Sequence, residues 1–136
     1  MPPSRWGWYV SGVLRLFAGQ PDLAIEHLET SLRLSPRERM GQSLSLMGTA
    51  YFFKGQFDEA ASKLLLAIQD HPGFGPSYRT LAACYAHMGQ LDEARAVVAR
   101  LRAITPLVVQ SVAQFRNPED RELILLGLRL AAGEAG

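Results

Sequence analysis

The feature that most constrains the fold is a short phrase, Gly-Gln-x-Asp, which occurs at three places in the 136-residue chain. Its glycines are Gly19, Gly55 and Gly89, which lie 36 and then 34 residues apart. When the stretches are aligned on these glycines, small and apolar residues recur at fixed distances on both sides. A fixed period of this size indicates a repeated structural unit rather than a catalytic site.

The matched positions within each unit are mostly three, four or seven residues apart, which is the spacing of one face of a helix. Each unit is therefore predicted to contain two amphipathic helices that stack on the neighbouring unit. The glycine is expected to end the first helix in a left-handed conformation, and the aspartate to cap the second. The remaining recurrent positions are small residues for close helix contact and closing prolines: Gly12, Gly48, Ala82, Ala24, Ala60, Ala94, Pro36, Pro72 and Pro106.

This register resembles the tetratricopeptide repeat (TPR), and the second unit carries the resemblance most fully. Its matching residues are Leu44, Met47, Gly48, Tyr51, Gly55, Phe57, Ala60, Leu64, Ala67 and Pro72. The resemblance implies an all-α fold, a TPR-like superhelical solenoid of three helix-turn-helix repeats followed by C-terminal capping helices. The repeat region is expected to be residues 1–106. The three repeats are expected at about residues 5–38, 41–74 and 75–108.

The period fails after Pro106, so residues 107–136 are predicted to form a different kind of segment. Apolar residues over Leu107–Phe115 predict a short helix. Asn117 as a cap and Pro118 at the first helical position then predict a final helix with an apolar stripe. A solenoid needs its last open edge covered, so this helix is expected to be the cap.

The tail also resembles the C-terminal TPR regions of bacterial class III adenylate and guanylate cyclases, although related tails occur on bacterial transcriptional regulators. The residues that carry this resemblance are Asn117, Pro118, Asp120, Gly127, Leu128 and Arg129. It implies an interaction or sensory module of a bacterial signalling protein, with any catalytic domain outside this chain.

Composition and motifs argue against catalysis within the chain. With 14 basic and 13 acidic residues, the net charge is +1, which gives no electrostatic reason to expect nucleic acid or an anionic membrane as a partner. The histidines and Cys84 form no metal-ligand spacing, and no nucleotide or nucleophile motif occurs, so we expect no enzyme activity, no cofactor and no metal. The single thiol is compatible with a reducing compartment, and we expect a cytoplasmic protein.

The concave surface of a TPR solenoid is lined by the first helix of each unit, and this surface is the predicted binding groove. Such a groove suits a peptide or a helix of a partner protein. Two alternatives stay open. The first is a small-ligand-sensing regulatory domain that uses the same groove. The second is self-association through an aromatic N-terminal edge, and the opposing interpretation is that this edge packs within the first repeat. The groove residues carried over from the family are Tyr9, Val13, Ser45, Thr49, Phe52, Phe53, Arg79 and His87. The self-association edge, which would form a homo-oligomer, comprises Trp6, Trp8 and Val10.

Overall fold

A computed structural model describes residues 4–37, 40–109 and 111–133, and in these ranges all the regular structure is helical. The predicted end of the first repeat at residue 38 and the last residues of the tail lie outside the described part. The helices, in chain order, are α1 (Arg5–Phe17), α2 (Pro21–Leu34), α3 (Met40–Phe53), α4 (Phe57–Asp70), α5 (Gly75–His87), α6 (Leu91–Arg102) and α7 (Pro118–Ala131).

The first six described helices pair in chain order into three hairpins, α1–α2, α3–α4 and α5–α6, and each hairpin packs on the next. This arrangement confirms the predicted all-α solenoid. The core lies within and between the hairpins, where Leu28, Leu64 and Leu101 are fully buried.

The repeated phrase forms the turn inside each hairpin. Gly19, Gly55 and Gly89 have φ angles of 80°, 77° and 78°, a left-handed conformation that glycine adopts without a Cβ penalty. The glutamine that follows each glycine donates its amide to a carbonyl five residues earlier, at 2.9–3.0 Å. This bond, together with the glycine amide bond, is the Schellman arrangement that ends a helix. The predicted helix ends are therefore confirmed.

The predicted role of the aspartates as caps is wrong. The residues that precede the second helices are Gln20, Gln56 and Gln90, and none makes a side-chain capping bond. The aspartates instead lie in the first turn, where a negative charge is favoured by the helix dipole. Asp22 also pairs with Lys54 of the next hairpin at 2.6 Å.

The small recurrent residues mark the places where two helices of a hairpin approach closely. A Cβ added at Gly12 would lie 2.6 Å from Leu28 Cγ, and one added at Gly48 would lie 2.6 Å from Leu64 Cγ. Both leucines are fully buried, so they have little room to move away. The same contact therefore recurs in two successive hairpins, as the repeat predicted.

One part of the tail differs from the prediction. Residues 107–109 and 111–117 are not helical, so the short helix predicted over Leu107–Phe115 is wrong. The final helix begins as predicted, with the Asn117 side chain accepting from the amide of Glu119 at 2.9 Å. Helix α7 packs on the last hairpin, mainly against α5 and less against α6.

Candidate functional site

The concave side of the solenoid holds a cavity of about 290 Å³ between the first helices of the three hairpins. Helices α1, α3 and α5 form its floor, while the non-helical segment after α6 and helix α7 form its other walls. Five of the eight predicted groove residues lie in its lining: Tyr9, Val13, Ser45, Thr49 and Arg79. The structure therefore brings these five together from three separate hairpins.

The walls of this cavity are mostly apolar, and several polar groups along them are paired within the chain. Thr49 Oγ1 donates to the carbonyl of Ser45 at 3.0 Å and lies 3.2 Å from Thr80 Oγ1. Tyr9 donates its hydroxyl to Gln42 Oε1 at 3.4 Å. A group that enters the cavity would meet mainly hydrocarbon, so the geometry suits an apolar side chain or an apolar ligand.

The guanidinium of Arg79 is held by the chain's own backbone. Its Nε donates to the carbonyl of Val108 at 3.2 Å and its Nη2 donates to the carbonyl of Leu107 at 2.8 Å. The residue is 8% exposed, and burial lowers the pKa of the guanidinium from its ordinary value. In this conformation Arg79 therefore does not offer its charge to an acidic partner.

Two predicted groove residues face the interior instead. Phe52 is fully buried, with its ring 5.5 Å from that of Phe57 in the next helix, so it cannot contact a partner while the chain is folded. His87 is stacked on Phe57, with 7° between the ring planes, and its Nε2 lies 2.6 Å from the carbonyl of Leu123 in α7. Since a carbonyl only accepts, Nε2 of His87 carries the proton that is donated.

Phe53 reaches the concave side, but the chain's own tail covers it. The ring of Phe115 lies edge-on to Phe53 at 5.0 Å and edge-on to Phe17 at 5.5 Å. Edge-to-face pairs at this separation are favourable beyond the area that they bury. Phe115 is 7% exposed, so the aromatic end of the predicted groove is already filled.

Part of the aromatic N-terminal edge is packed against the first hairpin, and part of it is exposed. Trp8 lies edge-on to His27 of α2, with ring centroids 5.0 Å apart, and Val10 is half-buried. This arrangement agrees with the reading in which the edge packs within the first hairpin. Trp6 is 50% exposed and stacks on Tyr9 at 5.6 Å. Tyr9 thus joins this edge to the rim of the cavity.

The sequence did not predict that residues of the tail form walls of the cavity. Val112, Gln114, Phe115, Ile124 and Leu128 line the cavity together with α1, α3 and α5. The apolar spacing of Ile124 and Leu128 was visible as a helix stripe, but nothing local in the sequence says which surface that stripe covers.

The described residues contain no group of three or more His, Cys, Asp or Glu side chains placed to hold a metal ion. Within the same ranges, each helix is either too short or too polar to cross a membrane. The candidate site is thus the concave cavity and the segment that borders it.

Comparisons with known proteins agree with this geometry. Residues 51–114, just under half of the chain, match the profile of the tetratricopeptide repeat family. No curated protein gives a match.

Solved structures with the same architecture are similar over nearly the whole chain. The first TPR of Spaghetti (RPAP3) bound to HSP90 peptide SRMEEVD is 19% identical, with a TM-score of 0.71 over 96% of this chain and 94% of that one. The first TPR domain of the human RPAP3 protein is 19% identical, with a TM-score of 0.70 over 95% of this chain and 93% of that one. MamA is 21% identical, with a TM-score of 0.69 over 95% of this chain and 77% of that one. At these identities the likeness shows the fold, which is the TPR solenoid.

Proposed function

We propose that this chain is a non-catalytic interaction module that binds a segment of a partner protein in its concave groove. The observation that carries the proposal is the cavity of about 290 Å³, which is bounded by helices of all three hairpins and lined mainly by apolar groups. Its volume lies near the lower end of the range for ligand sites, about 300 Å³. It is therefore suited to one or two apolar side chains of a bound segment.

The chemistry of the cavity favours an apolar anchor over an acidic one. The similar structure of Spaghetti holds an HSP90 peptide with acidic residues, SRMEEVD. Here the one arginine in the cavity lining donates to the carbonyls of Leu107 and Val108. An acidic side chain would have to take the guanidinium of Arg79 from these carbonyls, whereas an apolar side chain makes no demand on it.

A selection experiment tests this function. A library of displayed random peptides is selected on the immobilised protein, and the affinity of each selected peptide is measured by fluorescence anisotropy. Val13→Trp places a large ring in the cavity, while Leu14→Trp makes the same change at an adjacent residue that is 61% exposed and outside the cavity lining. We expect Val13→Trp to weaken binding at least about tenfold, the effect of losing one apolar anchor, and Leu14→Trp to leave it unchanged.

Two results would contradict the proposal: recovery of no binding peptide, or equal affinity for both tryptophan variants. A small apolar ligand is the alternative occupant, because the same cavity would enclose it. In that case a small molecule, but no peptide, would raise the melting temperature of the wild-type chain and not that of Val13→Trp.

We further propose that the module belongs to a cytoplasmic bacterial signalling protein, such as an adenylate cyclase. The support is the tail pattern, whose residues Asn117 and Pro118 begin α7 and whose Gly127 contacts Ala83 of α5. The coding sequence around this chain provides the test. A cyclase domain in the same reading frame would support the assignment, and an unrelated domain would contradict it.

A further inference from the structure

Residues 107–116 are here called the groove segment, and its described residues, 107–109 and 111–116, lie on the concave side of the solenoid without forming a helix. Its described side chains alternate between burial and exposure. Val108, Val112 and Phe115 are each 7–8% exposed, while Leu107, Ser111 and Ala113 face solvent. A segment that buries a few spaced side chains in this way has the contact pattern of a peptide bound in a groove.

The groove segment is attached to the solenoid at its two ends. At one end, Arg79 of α5 donates to the carbonyls of Leu107 and Val108, at 2.8 and 3.2 Å. At the other end, the amide of Arg116 donates to the carbonyl of Phe17 in α1 at 2.8 Å, beside the Phe115 ring. The segment thus crosses from the third hairpin to the first, along the helices that line the groove.

A cavity borders the groove segment on the side that faces the helices. The cavity of about 290 Å³ lies between Val112 and Phe115 on one side and α1, α3 and α5 on the other. A segment with few buried side chains and a void beside it is the kind of unit that opens without global unfolding.

From this arrangement we infer that the groove segment is an intramolecular ligand, and that the partner is a non-helical protein segment of the same chemistry that displaces it. Such a partner segment presents spaced aliphatic side chains and one aromatic side chain, which replaces Phe115 between Phe17 and Phe53. Its backbone carbonyls replace those of Leu107 and Val108 as acceptors for Arg79. This inference rests on the proposed function, since both concern the same groove.

Competition of this kind has a quantitative consequence. The apparent dissociation constant of a partner equals its intrinsic constant divided by the fraction of molecules in which the groove is open. A change that weakens only the groove segment must therefore tighten the binding of a partner segment, up to the limit at which the groove is always open.

A peptide with the groove segment's own sequence is the probe for this effect. Its sequence is that of residues 106–117, PLVVQSVAQFRN, with blocked ends and a fluorophore on the N-terminus. The receptor is the full chain as wild type, as Phe115→Ala, or as Leu107→Ala. Leu107→Ala is the matched control because its side chain is 54% exposed and only its carbonyl contacts Arg79.

We expect the peptide to bind Phe115→Ala at least about tenfold more tightly than the wild type, and Leu107→Ala to behave like the wild type. A peptide in which alanine replaces the phenylalanine is expected to bind Phe115→Ala at least about tenfold more weakly than the parent peptide does. Equal affinity of the peptide for wild type and Phe115→Ala, or binding to neither, would overturn the inference. Neither result would contradict the proposed function, which is tested separately by comparing Val13→Trp with Leu14→Trp.

A second measurement keeps the inference testable if Phe115→Ala does not fold. Hydrogen exchange of the wild-type chain reports opening of the groove segment directly. The amide of Arg116 is expected to exchange at least about tenfold faster than the amides in the middle of α3 and α5. Exchange of all three at one common rate would mean that the segment opens only with the whole chain, and the inference would fail. A wild-type dimer that dissociates on Phe115→Ala would assign the occupant to a second copy, which would also overturn it.

Discussion

The thiol of Cys84 shows how completely burial controls a reactive group in this chain. Cys84 is fully buried in α5, and its sulfur lies 3.1 Å from the carbonyl of Phe57, to which it donates. Burial raises the pKa of the thiol from 9.0 to about 12, with a smaller contribution from the negative charge of Asp58. Because the thiolate is the reactive form, the folded thiol is inert near neutral pH.

We therefore expect a thiol reagent at pH 8 to label Cys84 only as fast as the chain unfolds. The urea-unfolded chain is the control and should react at the rate of a free cysteine. The raised pKa also predicts a stabilising contribution that is complete below about pH 9 and is lost as the pH rises towards about 12. Labelling of the native chain at the unfolded rate would show that Cys84 is accessible.

Two serines occupy the same position in successive repeats, and the structure gives neither hydroxyl a partner. Ser43 and Ser77 are at most 1% exposed, and their Oγ atoms lack a hydrogen-bond partner. An unpaired buried hydroxyl costs free energy because it gives up its bonds to water.

Replacing one of these serines by alanine should accordingly stabilise the fold. We expect Ser77→Ala to raise the free energy of unfolding by about 1 kcal/mol, measured by urea denaturation. Ser111→Ala, at an exposed serine, is the control and should change it by less than about 0.5 kcal/mol. A loss of stability in Ser77→Ala would mean that its hydroxyl is paired in solution.

At the scale of the element, α7 packs closely against α5 at Gly127. A Cβ added at Gly127 would lie 2.8 Å from the Cβ and 2.9 Å from the Cα and carbonyl oxygen of Ala83. Backbone atoms in the middle of a helix cannot yield by turning a side chain. Gly127 thus allows α7 to approach the concave side of α5, where Ile124 and Leu128 help to close the cavity.

The substitution Gly127→Ala has two opposing effects, a gain in helix propensity and a steric clash at this contact. In an exposed helix the substitution would stabilise by about 1 kcal/mol, whereas here we expect a net loss of about 1–3 kcal/mol from overpacking. Denaturation in urea measures the loss. Gly73→Ala is the control, because a Cβ there meets nothing within 4 Å. Stabilisation by Gly127→Ala would mean that α7 is free to move away from α5.

The elements that the sequence predicted well are those decided by neighbouring residues. Gly55 and Gln56 end α3 through bonds that span only a few positions, so their signal is complete within the phrase itself. A short helix was predicted over Leu107–Phe115 because these residues are mostly apolar. In the fold, the carbonyls of Leu107 and Val108 accept from Arg79, which lies 28 and 29 positions earlier, and the local sequence does not record that partner.

The same distinction applies to the candidate site of the whole molecule. The repeat register predicted Tyr9, Val13 and Thr49 on one surface, and all three line the same cavity because they lie on the first helices of their units. It could not place the tail on that surface, because the path of the tail depends on contacts such as Gly127 with Ala83 and Phe115 with Phe17. Arg79 and His87 therefore became internal contacts rather than open groove residues.

The tail also changes how the whole molecule is held together. In an open solenoid each repeat contacts only its neighbours, so stability is nearly a sum over repeats and the ends unfold first. Here Phe115 and Arg116 contact α1, while Leu107 and Val108 bind α5, so the first and third hairpins are also joined through the groove segment. We therefore expect the wild-type chain to unfold in a single cooperative transition.

Removing the Phe115 ring should uncouple the first hairpin from the rest, and the chain's own tryptophans report it. The chain contains two tryptophans, Trp6 and Trp8, and both lie in α1, so their fluorescence follows the first hairpin while circular dichroism follows all the helices. In wild type and in Leu107→Ala, the two signals should give the same urea midpoint. In Phe115→Ala, a core contact worth roughly 3 kcal/mol is lost, so the fluorescence midpoint should fall below that of the circular dichroism. Coincident midpoints in Phe115→Ala would mean that direct packing on the second hairpin joins the first hairpin to the others, with no coupling through the groove segment.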